Sequence, residues 1–144
     1  MASERLSRIK ANKERSAAFF ASVLATGDCF TWGDEEGVAP WEDRFGDTLV
    51  PIWPDELSAV AENQADADHG ERPLRLELVD LAPRLRRWRD LNVGLAVHPV
   101  GGSIAGTYTV PQFAQQLLSA VAKSHGASQH PWVDEVSTLR PFLP

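Results

Sequence analysis

Two tryptophans are the first residues of this chain whose type and position suit a binding site. Trp32 stands beside a glycine and Trp53 beside a proline, each at the end of a predicted strand. An indole at such a position either lines a groove and presents its N–H to a ligand or packs in the core that joins the strands. The sequence alone leaves both interpretations open.

Acidic residues form a second candidate site. Asp34, Glu35 and Glu36 are consecutive in a predicted turn, and Asp55 and Glu56 open a predicted helix. Paired carboxylates perform acid–base chemistry only when burial pushes their pKa values apart, and three adjacent acids in a turn are expected to be exposed. We therefore interpret these five residues, together with Trp32 and Trp53, as a surface for recognising a partner, and we predict no catalytic residue.

Metal, cofactor and thiol chemistry are not predicted. Asp66, Asp68 and His69 offer suitable donor atoms, but their spacing fits neither a calcium loop nor a zinc site. Cys29 has no histidine beside it in the sequence, so we expect a buried structural thiol. The sequence has no serine elbow, phosphate-binding loop or dinucleotide motif, and we expect neither a cofactor nor an enzymatic activity.

An arginine cluster leaves two interpretations open. Guanidinium groups at these positions could clamp an anion, or they could form a solvated helix face with Trp88 on the inner side. The cluster consists of Arg84, Arg86, Arg87 and Arg89.

Charge is unevenly distributed along the 144 residues, whose net charge is −6. Residues 28–71 carry thirteen Asp and Glu against the single Arg44, whereas residues 1–15 and 72–89 are basic. An acidic middle repels nucleic acid phosphates and attracts a basic protein. We therefore expect a basic protein partner and no nucleic acid.

Localisation follows from the apolar and cysteine content. The longest apolar run, residues 17–25, is too short to span a bilayer. A single cysteine cannot form an internal disulfide, so nothing requires an oxidising compartment. We expect a cytoplasmic protein with no membrane contact.

These residues must be positioned by a mixture of helices and hairpins. The apolar spacing and turn residues predict an α+β fold with about five strands in one antiparallel or mixed sheet, on which the N-terminal and C-terminal helices of four pack. The predicted helices cover residues 3–25, 55–63, 81–91 and 111–126, and the strands cover 29–32, 38–41, 48–53, 93–98 and 104–108. Residues 74–79 are either a further strand or the lead into a helix capped by Asp80.

Two details refine this prediction. Pro51 lacks a backbone donor, so the strand that contains it should lie at an edge or change partner there. Residues 1–126 are expected to form one domain, and residues 127–144 an extended arm packed on it, because free tails rarely carry Trp132 and Phe142.

Two stretches resemble a known family. Residues 31–39 (TWGDEEGVA) and 49–56 (LVPIWPDE) resemble the bacterial domain-of-unknown-function family 2750, and residues 95–99 (LAVHP) fall where that family has a strand ending in proline. The resemblance covers residues 4–122. A weaker one is to the N-terminal domain of the serine-sensitivity-enhancing protein family. Both imply a small α+β unit from a bacterial cytoplasm, and neither implies a reaction.

The function expected from these observations is binding of another protein. A small acidic domain without catalytic motifs suits an immunity-type or regulatory role in which electrostatic attraction speeds capture of a basic partner. The alternative is a small-molecule-binding or enzymatic domain that uses a groove lined by Trp32 and Trp53. A homodimer joined at the edge near Pro51 is a third possibility.

Overall fold

Helices and short groups of strands follow one another along the chain. The structure, a computed structural model, describes residues 2–35, 37–43, 45–63, 70–101, 103–123 and 131–139. The elements in these residues are α1 (Ala2–Thr26), β1 (Asp28–Asp34), β2 (Gly37–Val38), β3 (Trp41–Glu42), β4 (Thr48–Ile52), α2 (Glu56–Asn63), β5 (Arg72–Glu77), α3 (Leu78–Asp90), β6 (Gly94–Val97), β7 (Gly106–Tyr108), α4 (Val110–Ala122) and α5 (Pro131–Ser137). The helices lie on the sheets, and the predicted α+β class is confirmed.

The strands form two sheets, whereas the sequence predicted one. The first has the order β2-β1-β5 and is antiparallel, and the second has the order β3-β4-β6-β7. The second sheet is mixed, because β4 and β6 are parallel while its other pairs are antiparallel. The strand that follows the acidic turn is divided at Ala39 and Pro40, so that Val38 pairs with β1 and Trp41 pairs with β4.

Strand β4 changes partner at Pro51, which is one of the two outcomes the sequence predicted. Leu49 pairs with Trp41, and two residues beyond Pro51 the backbone of Trp53 pairs with Phe30 of β1. Between these pairs the carbonyl of Pro51 accepts a hydrogen bond of 2.6 Å from the buried hydroxyl of Thr31. A side chain thus satisfies a backbone group where the ladder is interrupted.

Helix α1 buries a different side from the one its spacing indicated. Steps of three and four residues predict a buried stripe that includes Ile9, Ala17 and Phe20, yet Ile9 is half-exposed and Ala17 is exposed. Phe20 is buried as predicted, and Phe19 and Val23 are buried as well. The two adjacent phenylalanines shift the buried side because both rings contact Phe113 of α4, with centroid distances of 6.3 and 5.2 Å.

Helix α3 begins earlier than predicted. Its first residue is Leu78, directly after β5, so Asp80 lies in the first turn and does not cap the helix. The helix continues through Pro83. Burial explains the early start, because Leu78 begins the apolar stripe that continues through Leu81, Leu85 and Trp88.

The C-terminal segment differs from the predicted extended arm. Residues 131–137 form a short helix, α5, that packs against α3 and α4. Trp132, Val136 and Leu139 are buried in the main core. Phe142 and the neighbouring residues 127–130 and 140–144 lie outside the described part of the chain.

The hydrogen bond between Thr31 and Pro51 yields the first testable prediction. Thr31→Val keeps the shape of the side chain but leaves the buried Pro51 carbonyl without this donor, which costs about 1–3 kcal/mol. Urea unfolding should show that loss. Thr107→Val, an exposed position on β7, is the matched control and should change stability by less than about 0.5 kcal/mol. Equal effects of the two substitutions would contradict the role given to Thr31.

Candidate functional site

The two tryptophans singled out by the sequence belong to the core. Trp32 is 4% exposed and Trp53 is 0% exposed. The Trp32 indole donates to the carbonyl of Ala59 at 2.8 Å, and the Trp53 indole donates to that of Pro99 at 2.9 Å. Because both N–H groups are used inside the protein, the predicted groove between these side chains is not formed, and the core interpretation is correct.

Their packing positions helix α2. Ala59 of α2 lies in the same small cluster of buried residues as Trp32 and Trp53, and the ring of Trp41 meets that of Trp53 edge-on at 5.9 Å. These contacts hold the first turn of α2 beside the end of β4. The tryptophans therefore help to position α2.

Four of the five acidic residues of the sequence analysis are exposed, in two separate segments. Asp34 and Glu35 are exposed where β1 turns into β2, and Asp55 and Glu56 are exposed at the start of α2. We call these four residues the acidic surface. Glu36, predicted to belong to it, lies outside the described residues.

Asp55 also has a structural role in α2. Its side-chain Oδ1 accepts from the backbone N–H of Ser58 at 2.7 Å, and its carbonyl accepts from Ala59. This is the geometry of an N-cap, which satisfies a free N–H of the first turn. A test of the charge at this position must therefore keep an acceptor there.

Leu57 follows the two acids of α2 and is 83% exposed, more than any other large apolar side chain in the described residues. Sequence reasoning assigned Leu57 to the apolar side of the helix. Ala59 is the buried residue of α2, and its backbone carbonyl holds the Trp32 indole. Leu57 is therefore left in solvent beside Asp55 and Glu56.

A polar cluster that the sequence analysis did not predict lies at the carboxyl ends of the parallel strands β4 and β6. His98 directly follows β6, and its backbone N–H donates to the carbonyl of Ile52 at 2.7 Å. Its φ is +48°, a left-handed value that is uncommon for residues other than glycine, although asparagine, aspartate and histidine adopt it more often than the rest. Such a conformation persists only where the surrounding structure holds it.

Helices α1 and α2 both bind the segment after His98. Arg15 of α1 donates from Nη2 to the carbonyl of Ser103 at 3.0 Å, and Glu62 of α2 accepts from the N–H of Gly101 at 2.9 Å. The Ser103 hydroxyl donates to Asn12 at 3.3 Å. We call Arg15, Asp55, Glu62, His98 and Ser103 the polar cluster.

Two buried nitrogens of this cluster have no hydrogen-bond partner in the structure as described. They are Nε of Arg15 and Nδ1 of His98. Burial lowers the pKa of His98 below its ordinary value of 6.5, the charge of Arg15 lowers it further, and Asp55 and Glu62 oppose the shift. The only sequence signal was a histidine at a strand end before Pro99 and a turn, because Arg15 and Glu62 are distant in the chain.

A cavity of about 580 Å³ lies at the opposite, amino ends of β4 and β6. Leu49, Val93 and Val110 provide apolar lining, and Arg89 and Thr107 are among its polar residues. This volume falls within the range of small-molecule sites.

The arginine cluster lies along the exposed side of α3, while Trp88 is buried beneath it. Arg84 and Arg87 border a depression of about 460 Å³ next to Arg75 of β5. Arg75 is paired with Asp28 and Glu77. Because Arg75 is paired, the depression has fewer unpaired positive charges than its three arginines would suggest.

Metal and thiol chemistry find no support in the described residues. No group of three or more His, Cys, Asp or Glu side chains in them is arranged to hold a metal ion. The predicted candidates Asp66, Asp68 and His69 lie outside those residues. Burial, together with the charge of Asp28, raises the pKa of the Cys29 thiol to about 12, so it is not a nucleophilic thiolate at neutral pH.

Comparison with known proteins adds no family: no family model matches this chain, and no curated protein matches it. The likeness to the domain-of-unknown-function family 2750 stays a prediction. Within the described residues, no helix has the length and apolar character needed to cross a bilayer.

The lowered pKa of His98 yields a prediction about stability and pH. The unfolded chain takes up a proton more readily than the folded chain, so stability is fully present above pH 6.5 and falls as the pH drops through the lower pKa of the folded state. His98→Asn removes the titrating group, and asparagine tolerates a positive φ. Between pH 7 and 5 the urea midpoint should fall more in the original chain than in this variant. An equal fall of the urea midpoint in both proteins would contradict the assignment of this pH dependence to His98.

Proposed function

We propose that this chain is a protein-binding module of the bacterial cytoplasm, immunity-type or regulatory, that binds a basic partner through the acidic surface without performing chemistry. The observation that carries the proposal is Leu57, a leucine 83% exposed directly beside Asp55 and Glu56. Binding would cover this side chain and remove its apolar surface from water. Burying a leucine contributes roughly 1.5–3 kcal/mol.

The carboxylates have a different part in the proposed interaction. Asp34, Glu35 and Glu56 are exposed, so salt and water screen each of them and none contributes much affinity alone. Together, on a chain of net charge −6, they attract a basic surface over several ångströms and raise the rate of encounter. We therefore assign the association rate to the acids and the lifetime of the complex to Leu57.

The scaffold favours such a surface because its two parts have fixed supports. The β1–β2 turn follows the strand that pairs with β5, and α2 is held by the Trp32 hydrogen bond to Ala59. A surface that is already ordered loses little conformational entropy on binding.

Charge reversal tests the acids. The chain is immobilised, partners from a lysate of the source organism are captured and identified, and association rates with the purified partner are measured at two salt concentrations. Glu35→Lys combined with Glu56→Lys should lower the association rate roughly tenfold or more at low salt, with a smaller difference at high salt. The control combines Glu14→Lys with Asp134→Lys, which are exposed acids elsewhere, and should change the rate much less.

Single substitutions separate charge from contact. Asp55→Asn removes a charge but keeps an N-cap acceptor, so it should slow association without unfolding α2. Leu57→Ala should instead raise the dissociation rate, about tenfold for a loss of 1.4 kcal/mol. An acidic partner, or equal defects in the acidic-surface and control variants, would contradict the proposal. Capture of a second copy of the chain alone would indicate a homodimer instead.

A second candidate function, binding of a small molecule, is favoured by the cavity of about 580 Å³ at the amino ends of β4 and β6. It replaces the groove at Trp32 and Trp53, whose side chains are buried. Apolar walls with Arg89 and Thr107 among the polar residues suit a ligand with an apolar body and a polar end.

Native mass spectrometry tests the cavity. Protein purified without denaturant should carry a bound compound, and Thr107→Trp, which places an indole in the cavity, should release it while the fold is kept. The control is Thr138→Trp at an exposed position after α5. An unliganded mass for the original chain, or a ligand retained by Thr107→Trp, would argue against this candidate.

A further inference from the structure

The two unpartnered nitrogens of the polar cluster are separated by 83 positions in the chain and brought together by the fold. Arg15 Nε is a donor and His98 Nδ1 is a donor or an acceptor, and neither has a hydrogen-bond partner in the described structure. Buried polar atoms are almost always hydrogen-bonded, so two exceptions in one cluster need an explanation. An oxygen-bearing molecule that contacts both nitrogens would supply it.

The surroundings favour a site rather than a packing defect. The cluster lies at the carboxyl ends of parallel strands, where ligands bind in many sheets with helices on them. His98 is held there at φ +48° by its bond to Ile52, and the Nη2 group of Arg15 is fixed on Ser103. The backbone at His98 and the Nη2 end of Arg15 are therefore fixed in place.

We propose that the polar cluster binds a small carboxylate, with one oxygen on Arg15 Nε and the other on His98 Nδ1. The Nε N–H of Arg15 is a charged donor without a partner, and such donors form strong hydrogen bonds with a carboxylate oxygen. The neutral imidazole donates from Nδ1 in one of its two tautomers. Both side chains are partly buried and both nitrogens are covered in the unliganded chain, so binding requires a side-chain rotation that exposes them.

The other charged groups of the cluster set the limits of the ligand. Asp55 and Glu62 raise the pKa of His98, whereas Arg15 lowers it. The cluster therefore has a cationic side and an anionic side. One oxygen of Glu62 is already bound to Gly101 and Oδ1 of Asp55 to Ser58, which reduces their repulsion of an anion. A compact carboxylate fits this arrangement better than phosphate, whose greater charge both acids repel.

The site is separate from the acidic surface except for Asp55, and the proposal goes beyond the proposed function.

The measurement is the NMR spectrum of the His98 imidazole in the full chain, assigned by comparison with His98→Asn. It is followed during titration with acetate at constant ionic strength. Inorganic phosphate is the second probe. We expect saturable shifts of the His98 signals with acetate, a higher pKa of His98 at saturation, and at least tenfold weaker binding of phosphate.

Variants connect the signal to the two nitrogens. Arg15→Met should abolish the acetate-dependent shifts, whereas Arg84→Met on the exposed side of α3 should leave them unchanged. If Arg15→Met unfolds the chain, Arg15→Lys replaces it and should weaken acetate binding at least tenfold, because an ammonium lacks the planar edge. Absence of saturable shifts, equal or tighter binding of phosphate, or full binding by the Arg15 variant would overturn the proposal. Partner capture does not measure this site, so the two proposals can fail independently.

Discussion

The structure depends on one junction, where β4 of the second sheet is joined to β1 of the first. On the side of β4 that faces β1, Thr31 supplies a hydrogen bond to the carbonyl of Pro51 and Trp53 pairs with Phe30. On its other side β4 stays paired with β6 through Pro51 and Ile52. Trp53 is also completely buried, and its indole holds Pro99 after β6. A single short segment thus joins both sheets and places the two features with functional interest: the start of α2 and the segment that begins at His98.

Much of the fold was predictable because local signals agreed with the final packing. The glycine-bounded acidic turn indicated the β1–β2 hairpin, and the missing donor of Pro51 indicated either an edge strand or a change of partner, of which the second is observed. The predictions that were wrong depended on contacts distant in the chain. Phe19 is buried because Phe113 lies opposite, and α3 starts at Leu78 because the core extends that far. The short helix α5 is stabilised by burying Trp132 between neighbours that no local pattern reveals.

The candidate sites, too, could be predicted only where the signal was local in the sequence. The acids at 34, 35, 55 and 56 were predicted as exposed, since adjacent carboxylates resist burial, and they are exposed. The two tryptophans could not be assigned, because the acceptors of their N–H groups, Ala59 and Pro99, lie 27 and 46 residues away. The polar cluster was missed for a similar reason: Arg15 and His98 meet only after α1 packs across the sheet.

The central claim is that the junction at Pro51 and Trp53 holds the start of α2 and the His98 segment as one cooperative unit. Native-state hydrogen exchange of the unmodified chain tests it directly, at the amides of Phe30, Trp53, Ala59 and His98, each of which donates to a backbone carbonyl. The account predicts that Phe30, Trp53 and His98 exchange with one common free energy, equal to that of global unfolding, and that Ala59 lies close to it. Exchange of His98 or Ala59 through a separate opening of much lower free energy would contradict it.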